Sequence, residues 1–211
     1  MKKIFIYLLF LSVVILTPLI LCQFMEFDAC RMVNTDYYSY IASAAIHLGL
    51  FSIALFFLWK KDFMETLTGI GFPGDTKKTI IYTVVGLFVV FATLVVFDFV
   101  ATVVGFNDQA KIVEKVFSLP WYILLFAIFL APISEELFFR ALLVPRIGIV
   151  FSSIAFGLVH VAYGSTVELV GAALIGVILG FVFKLSRSIT PCLLIHIIYN
   201  LISVTIMRLL V

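Results

Sequence analysis

Apolar residues run through this chain in long, nearly unbroken stretches, with neither the strict alternation of a half-buried strand nor the narrow stripe of a surface helix. That is the pattern of helices solvated by lipid, because about 20 apolar residues at 1.5 Å each cross the hydrocarbon core of a bilayer. Seven such stretches are predicted, at 4–22, 38–59, 79–104, 117–138, 147–163, 168–185 and 189–210. The fifth and sixth are short. Polar punctuation separates them, and its longest piece, 60–78, carries paired lysines at both ends around Gly71-Phe72-Pro73-Gly74 and is read as a loop. No internal repeat, low-complexity tract or soluble domain interrupts the series. The expectation is an all-α, polytopic bundle of about seven spans forming a single membrane domain, with N-terminal spans over 1–116 and a core over 117–211.

Composition supports the same solvent. Of 211 residues, 64% are hydrophobic and only 12% charged, too few charges to cover a water-exposed globule of this size. The mean hydropathy is +1.25. The net charge of +2 comes from dispersed basic residues, which excludes a nucleic-acid-binding surface and leaves the lipid bilayer as the large partner. Cys22, Cys30 and Cys192 have neither metal-ligand spacing nor an even count, so no disulfide framework is read; Cys22 and Cys192 sit in apolar runs as small hydrophobes. The first stretch follows Lys2 and Lys3 as a signal peptide would. It runs on to Cys22 without an A-x-A site, and is therefore read as a retained span.

Short loops orient a membrane protein by their lysines and arginines. With the N-terminus in the cytosol, Lys2, Lys3, Lys60, Lys61, Lys77, Lys78, Arg140, Arg146, Lys184 and Arg187 fall on the cytosolic side. Arg31, Lys111, Lys115 and Arg208 fall outside, so the division is 10 to 4. A multi-pass protein of the cell membrane with a cytosolic N-terminus is expected, with Ser134–Arg140 near the cytosolic end of the fourth span.

Ionisable side chains inside spans cost roughly 2.5–3.5 kcal/mol to insert and mark function by default. Here they are His47, Asp98, Glu135, Glu136, Arg140, His160 and His196, with Asn200 as a polar companion. Glu136 and Arg140 stand four apart, so they share a helix face and one carboxylate is neutralised. Glu135 points about 100° away and has no such partner on its own helix. His196 and Asn200, also four apart, share a face of the last span. Taken singly, each has an ordinary explanation: acids at a headgroup, a packed histidine, interhelical hydrogen-bond glue. His47 is read as packing or hydrogen bonding, and Asp98 as lying at the outer end of its span. Taken together, a carboxylate, two imidazoles and an amide on three helices are the parts hydrolysis needs, a group to take a proton from water and donors to meet an oxyanion. No G-x-S-x-G and no H-E-x-x-H occurs, so serine and zincin chemistries of those forms are not supported.

Three motifs then carry a resemblance. Glu135-Glu136-Leu137-Phe138-Phe139-Arg140, Phe156-Gly157-Leu158-Val159-His160 and His196-Ile197-Ile198-Tyr199-Asn200 stand in order on separate predicted spans. They resemble the E-E-x-x-x-R, F-x-x-x-H and H-x-x-x-N motifs of the CPBP family of intramembrane proteases, also called the Abi or type II CAAX prenyl protease family. The resemblance covers about 117–205. It implies a helical bundle with the site in an intramembrane cavity open to the cytosol. It also implies an endopeptidase acting on a membrane-associated protein or peptide, for CAAX-type members a prenylated C-terminal tail. By resemblance, Glu135 and His160 activate a water and His196 and Asn200 bind the oxyanion. Glu136, Arg140 and Phe156 support them. No cofactor is assigned. Two histidines with a carboxylate are also Zn²⁺-binding chemistry, and if an ion were bound its ligands would be Glu135, His160 and His196. The alternative is a non-catalytic scaffold or bacteriocin-immunity protein that keeps the motifs for packing. A transporter relay through Asp98, Glu135 and the histidines is a third reading, and the lack of an evident inverted repeat counts against it.

Overall fold

The fold is that of a computed structural model describing residues 2–25, 35–106 and 108–209. Among these residues the elements are helices and turns, with no strand. In chain order they are α1 (Lys2–Met25), α2 (Thr35–Leu58), the short α3 (Phe63–Gly69), α4 (Thr76–Val103) and α5 (Gln109–Ser118). There follow α6 (Trp121–Leu125), π1 (Phe126–Leu130), α7 (Ala131–Glu135), π2 (Glu136–Leu143), α8 (Val144–Val159), a 3₁₀ turn (His160–Tyr163), α9 (Thr166–Ser186) and α10 (Ile189–Leu209).

Five stretches of the described residues are long and apolar enough to cross a bilayer: Tyr40–Leu58, Thr76–Val103, Trp121–Val159, Thr166–Ser186 and Ile189–Leu209. The protein is a multi-pass membrane protein, but the expected count of about seven is not reached among them. The first expected span lies on α1, whose side chains after Leu16 are outside the described ones, as are those of Cys22 and Cys30. The fourth and fifth expected spans fall in one 39-residue helical stretch. The loop expected over 60–78 contains α3 and the start of α4, with Asp62 and Asp75 as N-caps accepting from the Glu65 and Lys78 amides, both at 2.8 Å. The start expected at 117 also moves. Residues 109–118 form the separate amphipathic α5, with Ile112 and Val116 buried, and Pro120 opens the next helix at Trp121.

That 39-residue stretch is bent by its own sequence. At Gly148 the backbone takes φ 81° and ψ 172°, a region open essentially to glycine alone. The chain folds back there into an antiparallel hairpin. Ser152 donates its hydroxyl to the Phe139 carbonyl at 2.7 Å, and the Phe139 and Phe156 rings meet edge to face at 5.1 Å. The limb after the bend packs on α9 through small residues. A Cβ on Gly157 would sit 2.7 Å from the Leu169 carbonyl oxygen, and one on Gly176 would sit 3.0 Å from Ser153.

The helices are tied at both ends of the bundle. At one end the 70–74 turn is bonded to the α9–α10 turn: the Ile189 amide donates to Ile70 O at 3.1 Å, Ser188 Oγ to Gly71 O at 2.6 Å, and the Gly74 amide to Thr190 Oγ1 at 3.0 Å. Gly71 has φ 74°, and a Cβ there would lie 2.3 Å from Arg187 O, so glycine is required twice over. At the other end Asp108 holds the start of α9, and Arg208 donates to Leu119 O while lying over the rings of Trp121 and Phe117. Between the ends α1 packs on α2, α2 on α7 and π2, and α9 and α10 on α4. Cys192, buried between α9 and α10, behaves as the small hydrophobe expected of it.

Candidate active site

Two π-helical segments flank Glu135, and the first follows from the sequence around Pro132. In π1 the Ala131 amide bonds to Phe126 O, five residues back. The same ladder would pair Ala127 O with residue 132, which is proline and has no N–H. The orphaned carbonyl is instead met from α10 by Asn200, whose Nδ2 donates to Ala127 O at 3.0 Å. Asn200 thus locks α10 to the helix that carries the acids, and one donor of its amide is committed there. Wide π turns of this kind are rare and cluster at functional sites.

Glu135 lies fourteen residues beyond Trp121 and thirteen before Gly148, so it stands mid-helix rather than near the end of a span. Glu136 and Arg140 are fully buried. Arg140 Nε is 3.1 Å from Glu136 Oε2, and its guanidinium lies 4.2 Å from the centre of the Phe156 ring, so the charge is met by a carboxylate on one side and an aromatic face on the other. The remaining Glu136 oxygen, Oε1, accepts from His196 Nδ1 at 2.8 Å. A carboxylate only accepts, so Nδ1 carries the proton and His196 turns its Nε2 towards Glu135 Oε2, at 3.5 Å.

His160 is set by the hairpin. Arg140 faces Phe156 across it, and the same register one turn further brings His160 towards Glu135. Its Nδ1 donates to Phe156 O at 2.8 Å and its ring lies on Phe156 at 4.9 Å. A carbonyl cannot donate, so Nε2 is the ring's acceptor. Phe156 also meets His196, at 5.8 Å. One phenyl ring therefore touches Arg140, His160 and His196, which is what the middle motif's aromatic position does here.

The structure adds a residue that sequence reasoning set aside. His47 on α2 has its Nε2 3.7 Å from Glu135 Oε1, its Nδ1 2.8 Å from Ser134 Oγ, and its ring edge to face with Phe126 at 5.3 Å. All three histidines of the chain thus gather around one carboxylate. The signal was present: a rare histidine in an apolar span is functional by default. Asp98 does not join them. It lies near the Asp108 end of the bundle, where it accepts from Gln109 Nε2 at 2.5 Å.

Zn²⁺ needs three or four ligand atoms near 2 Å from one point. His47 and His196 face different oxygens of Glu135, and among the described residues no three His, Cys, Asp or Glu side chains converge closely enough to hold one ion. Chemically the arrangement provides a buried carboxylate, imidazoles on three helices, and a second carboxylate already neutralised.

Residues 117–202 match the family model of the type II CAAX prenyl endopeptidases, Rce1-like. That segment holds Glu135, Glu136, Arg140, Phe156, His160, His196 and Asn200, and leaves out His47. Over this segment the chain is similar to the type II CAAX prenyl endopeptidases. No curated protein sequence and no solved structure matches it.

Proposed function

We propose that this protein, which is similar to the CAAX-type proteases over residues 117–202, is an intramembrane endopeptidase that hydrolyses a peptide bond of a membrane-associated protein with a water activated by Glu135 and His160. The observation that carries the reading is the mid-bundle Glu135 carboxylate between the Nε2 atoms of His196 and His47, at 3.5 and 3.7 Å, inside the family-matched core. In this mechanism Glu135, with His160, takes a proton from water, and the hydroxide attacks the peptide carbonyl. The oxyanion is met by Nε2–H of His196 and by the Asn200 amide. The C–N bond then breaks, and the proton taken from water passes to the leaving amine. His196 donates from Nε2 only when both ring nitrogens carry protons, and the charge it then bears lies between Glu135 and Glu136. No metal enters any step.

The substrate carries a lipid in this reading. A cleft of about 520 Å³ lies between α2 and the start of the acid-bearing helix, lined by Tyr40, Ser43, Ala44, Tyr122, Phe126 and Phe129. Its wall is nearly all apolar and its inner residue, Phe126, packs on His47 beside Glu135. An isoprenyl chain attached near the scissile bond fits that chemistry. The test is incubation of the purified protein with farnesylated and unmodified peptides, products read by mass spectrometry, before and after exhaustive chelation with metal content measured. Cleavage of the farnesylated peptide that survives chelation is the expected result. Cleavage lost with the metal and restored by stoichiometric Zn²⁺ overturns the metal-free mechanism, and no cleavage of any peptide overturns the enzyme.

We also propose seven crossings with the N-terminus in the cytosol. Support comes from α1, 24 residues long, from the bend at Gly148, which makes two limbs of one stretch, and from the division of basic residues, nine to four once the buried Arg140 is set aside. The tied ends fit: residues 70–74 meet 188–190 on the cytosolic side and Asp108 meets Ser165 on the other. Labelling of a cysteine placed in 60–78 by an impermeant reagent outside intact cells would sink this topology.

A further inference from the structure

Resting on the reading above, we propose that His47, outside the three motifs and outside the family-matched segment, is a positioning residue that fixes the plane of the Glu135 carboxylate. The need for such a residue is physical. The last torsion of a glutamate, between an sp³ and an sp² carbon, is soft and broadly populated, so the chain itself does not decide where the two oxygens point. A general base works only when its oxygen is held within hydrogen-bond reach of the water it deprotonates. His196 approaches Oε2 alone, and even as the imidazolium that can donate from Nε2 it holds a single oxygen, about which the carboxylate still swings. His47 approaches the other oxygen, Oε1, from a different helix. Two imidazoles at the two oxygens define the plane.

His47 is itself fixed on three sides. Ser134 Oγ lies 2.8 Å from His47 Nδ1 and 2.9 Å from Ala131 O; with its hydroxyl proton on Nδ1, the ring's own proton sits on Nε2 and faces Glu135 Oε1. Phe126 covers the ring edge to face at 5.3 Å. Nε2 is thereby aimed at Oε1. The grip falls on two successive residues: α2 holds Ser134 through one ring nitrogen and the carboxylate of Glu135 through the other. If His47 served only to join helices, the Ser134 bond would suffice, and the approach to Glu135 would have no consequence.

The two nitrogens are separable by substitution. The amide of His47→Asn reaches the Nδ1 position and keeps the bond to Ser134 while losing Glu135. The amide of His47→Gln reaches the Nε2 position and keeps the approach to Glu135. Turnover of an internally quenched farnesylated peptide is measured for wild type, both variants and Glu135→Gln, with melting in detergent as a fold check. His47→Asn is expected to melt like wild type, keep KM and lose roughly 100-fold in kcat, the cost of about an ångström of misplacement. His47→Gln is expected to stay within about tenfold of wild type on the same scale. A His47→Asn variant with wild-type kcat, or a His47→Gln variant no better than His47→Asn, overturns the positioning role and leaves the protease reading standing, provided Glu135→Gln is inactive. A wild-type protein that leaves the peptide whole, or a Glu135→Gln variant that cleaves it, overturns the protease reading and this role with it.

Discussion

His196 on α10 and His47 on α2 approach Glu135 in nearly the same way, and they differ in what stands behind them. Each has its Nδ1 2.8 Å from a neighbour's oxygen. Behind His196 the neighbour is Glu136, which also faces Arg140, so that histidine ends a chain of charges sealed from solvent. Behind His47 it is the neutral hydroxyl of Ser134. A buried ion pair is stabilising only while complete, because removal of one partner strands the other in a low dielectric, whereas a neutral hydrogen bond contributes about 1 kcal/mol. Stability and geometry are therefore divided between the two sides of the carboxylate: the α10 side carries the fold's electrostatic risk, and the α2 side can be altered at little cost to the fold.

The adjacent acids put this division to its strongest test. Glu135→Gln keeps the shape and removes the group that takes the proton, so turnover is expected to fall by about 100- to 10,000-fold with little change in melting temperature. Glu136→Gln leaves Glu135 and the His47–Ser134 side untouched but deprives Arg140 and His196 of their shared counter-charge. The expected loss is about 3–5 kcal/mol of stability, read as a lower melting temperature in detergent. Both variants are to be melted and assayed side by side. Equal loss of activity with neither variant destabilised would show that the two carboxylates share one role and that the α10 network is no special liability.

The same contrast explains what was legible in the sequence. Glu136 and Arg140 pair within one helical turn, so periodicity alone finds them, and the contact is present at 3.1 Å. The motif order further named the residues of a family whose model matches 117–202. His47 belongs to neither class. Its partners stand 87 and 88 positions away, and only the packing of α2 against α7 brings them together. The membrane character of the chain was plain because lipid solvation leaves unbroken apolar runs. Where those runs bend was not plain. The bend at Gly148 and the wide turns before Glu135 depend on backbone hydrogen bonds lost at Pro132 and on a glycine conformation, neither of which hydropathy registers. That is why two expected spans became one bent stretch, and why the acids moved from a helix end to its middle.

The third histidine extends the comparison to the edge of the bundle, with the smallest expected effect. His160 lies at the end of a 3₁₀ turn whose far side, Gly164 to Val167, is held by Asp108 and Lys111. Asp108 Oδ1 accepts from Ser165 Oγ at 2.7 Å and from the Val167 amide at 3.2 Å, Oδ2 accepts from the Thr166 amide at 2.7 Å, and Lys111 Nζ donates to Gly164 O at 3.2 Å. The carboxylate thus caps a helix from a distant segment, where the helix dipole also favours negative charge. The Ser165 hydroxyl first, then the Thr166 amide, then the Val167 amide and Lys111, hold the Asp108 carboxyl below its ordinary range against the opposing effect of desolvation. A carboxyl lowered in the folded state contributes stability above its unfolded value, and the contribution fades as pH falls through the folded value. The strap is accordingly intact at neutral pH and is released only in acid, beginning near the ordinary aspartate value of about 4. Hydrogen exchange of residues 160–167, followed against pH in detergent, reads this directly. Asp108→Asn is expected to exchange faster than wild type at neutral pH, with the gap closing as pH falls below about 4. A gap that persists undiminished at the lowest pH the protein tolerates would mean that the Asp108 charge has no part in holding the His160 turn, and that the turn is fixed from within the membrane as the other two histidines are.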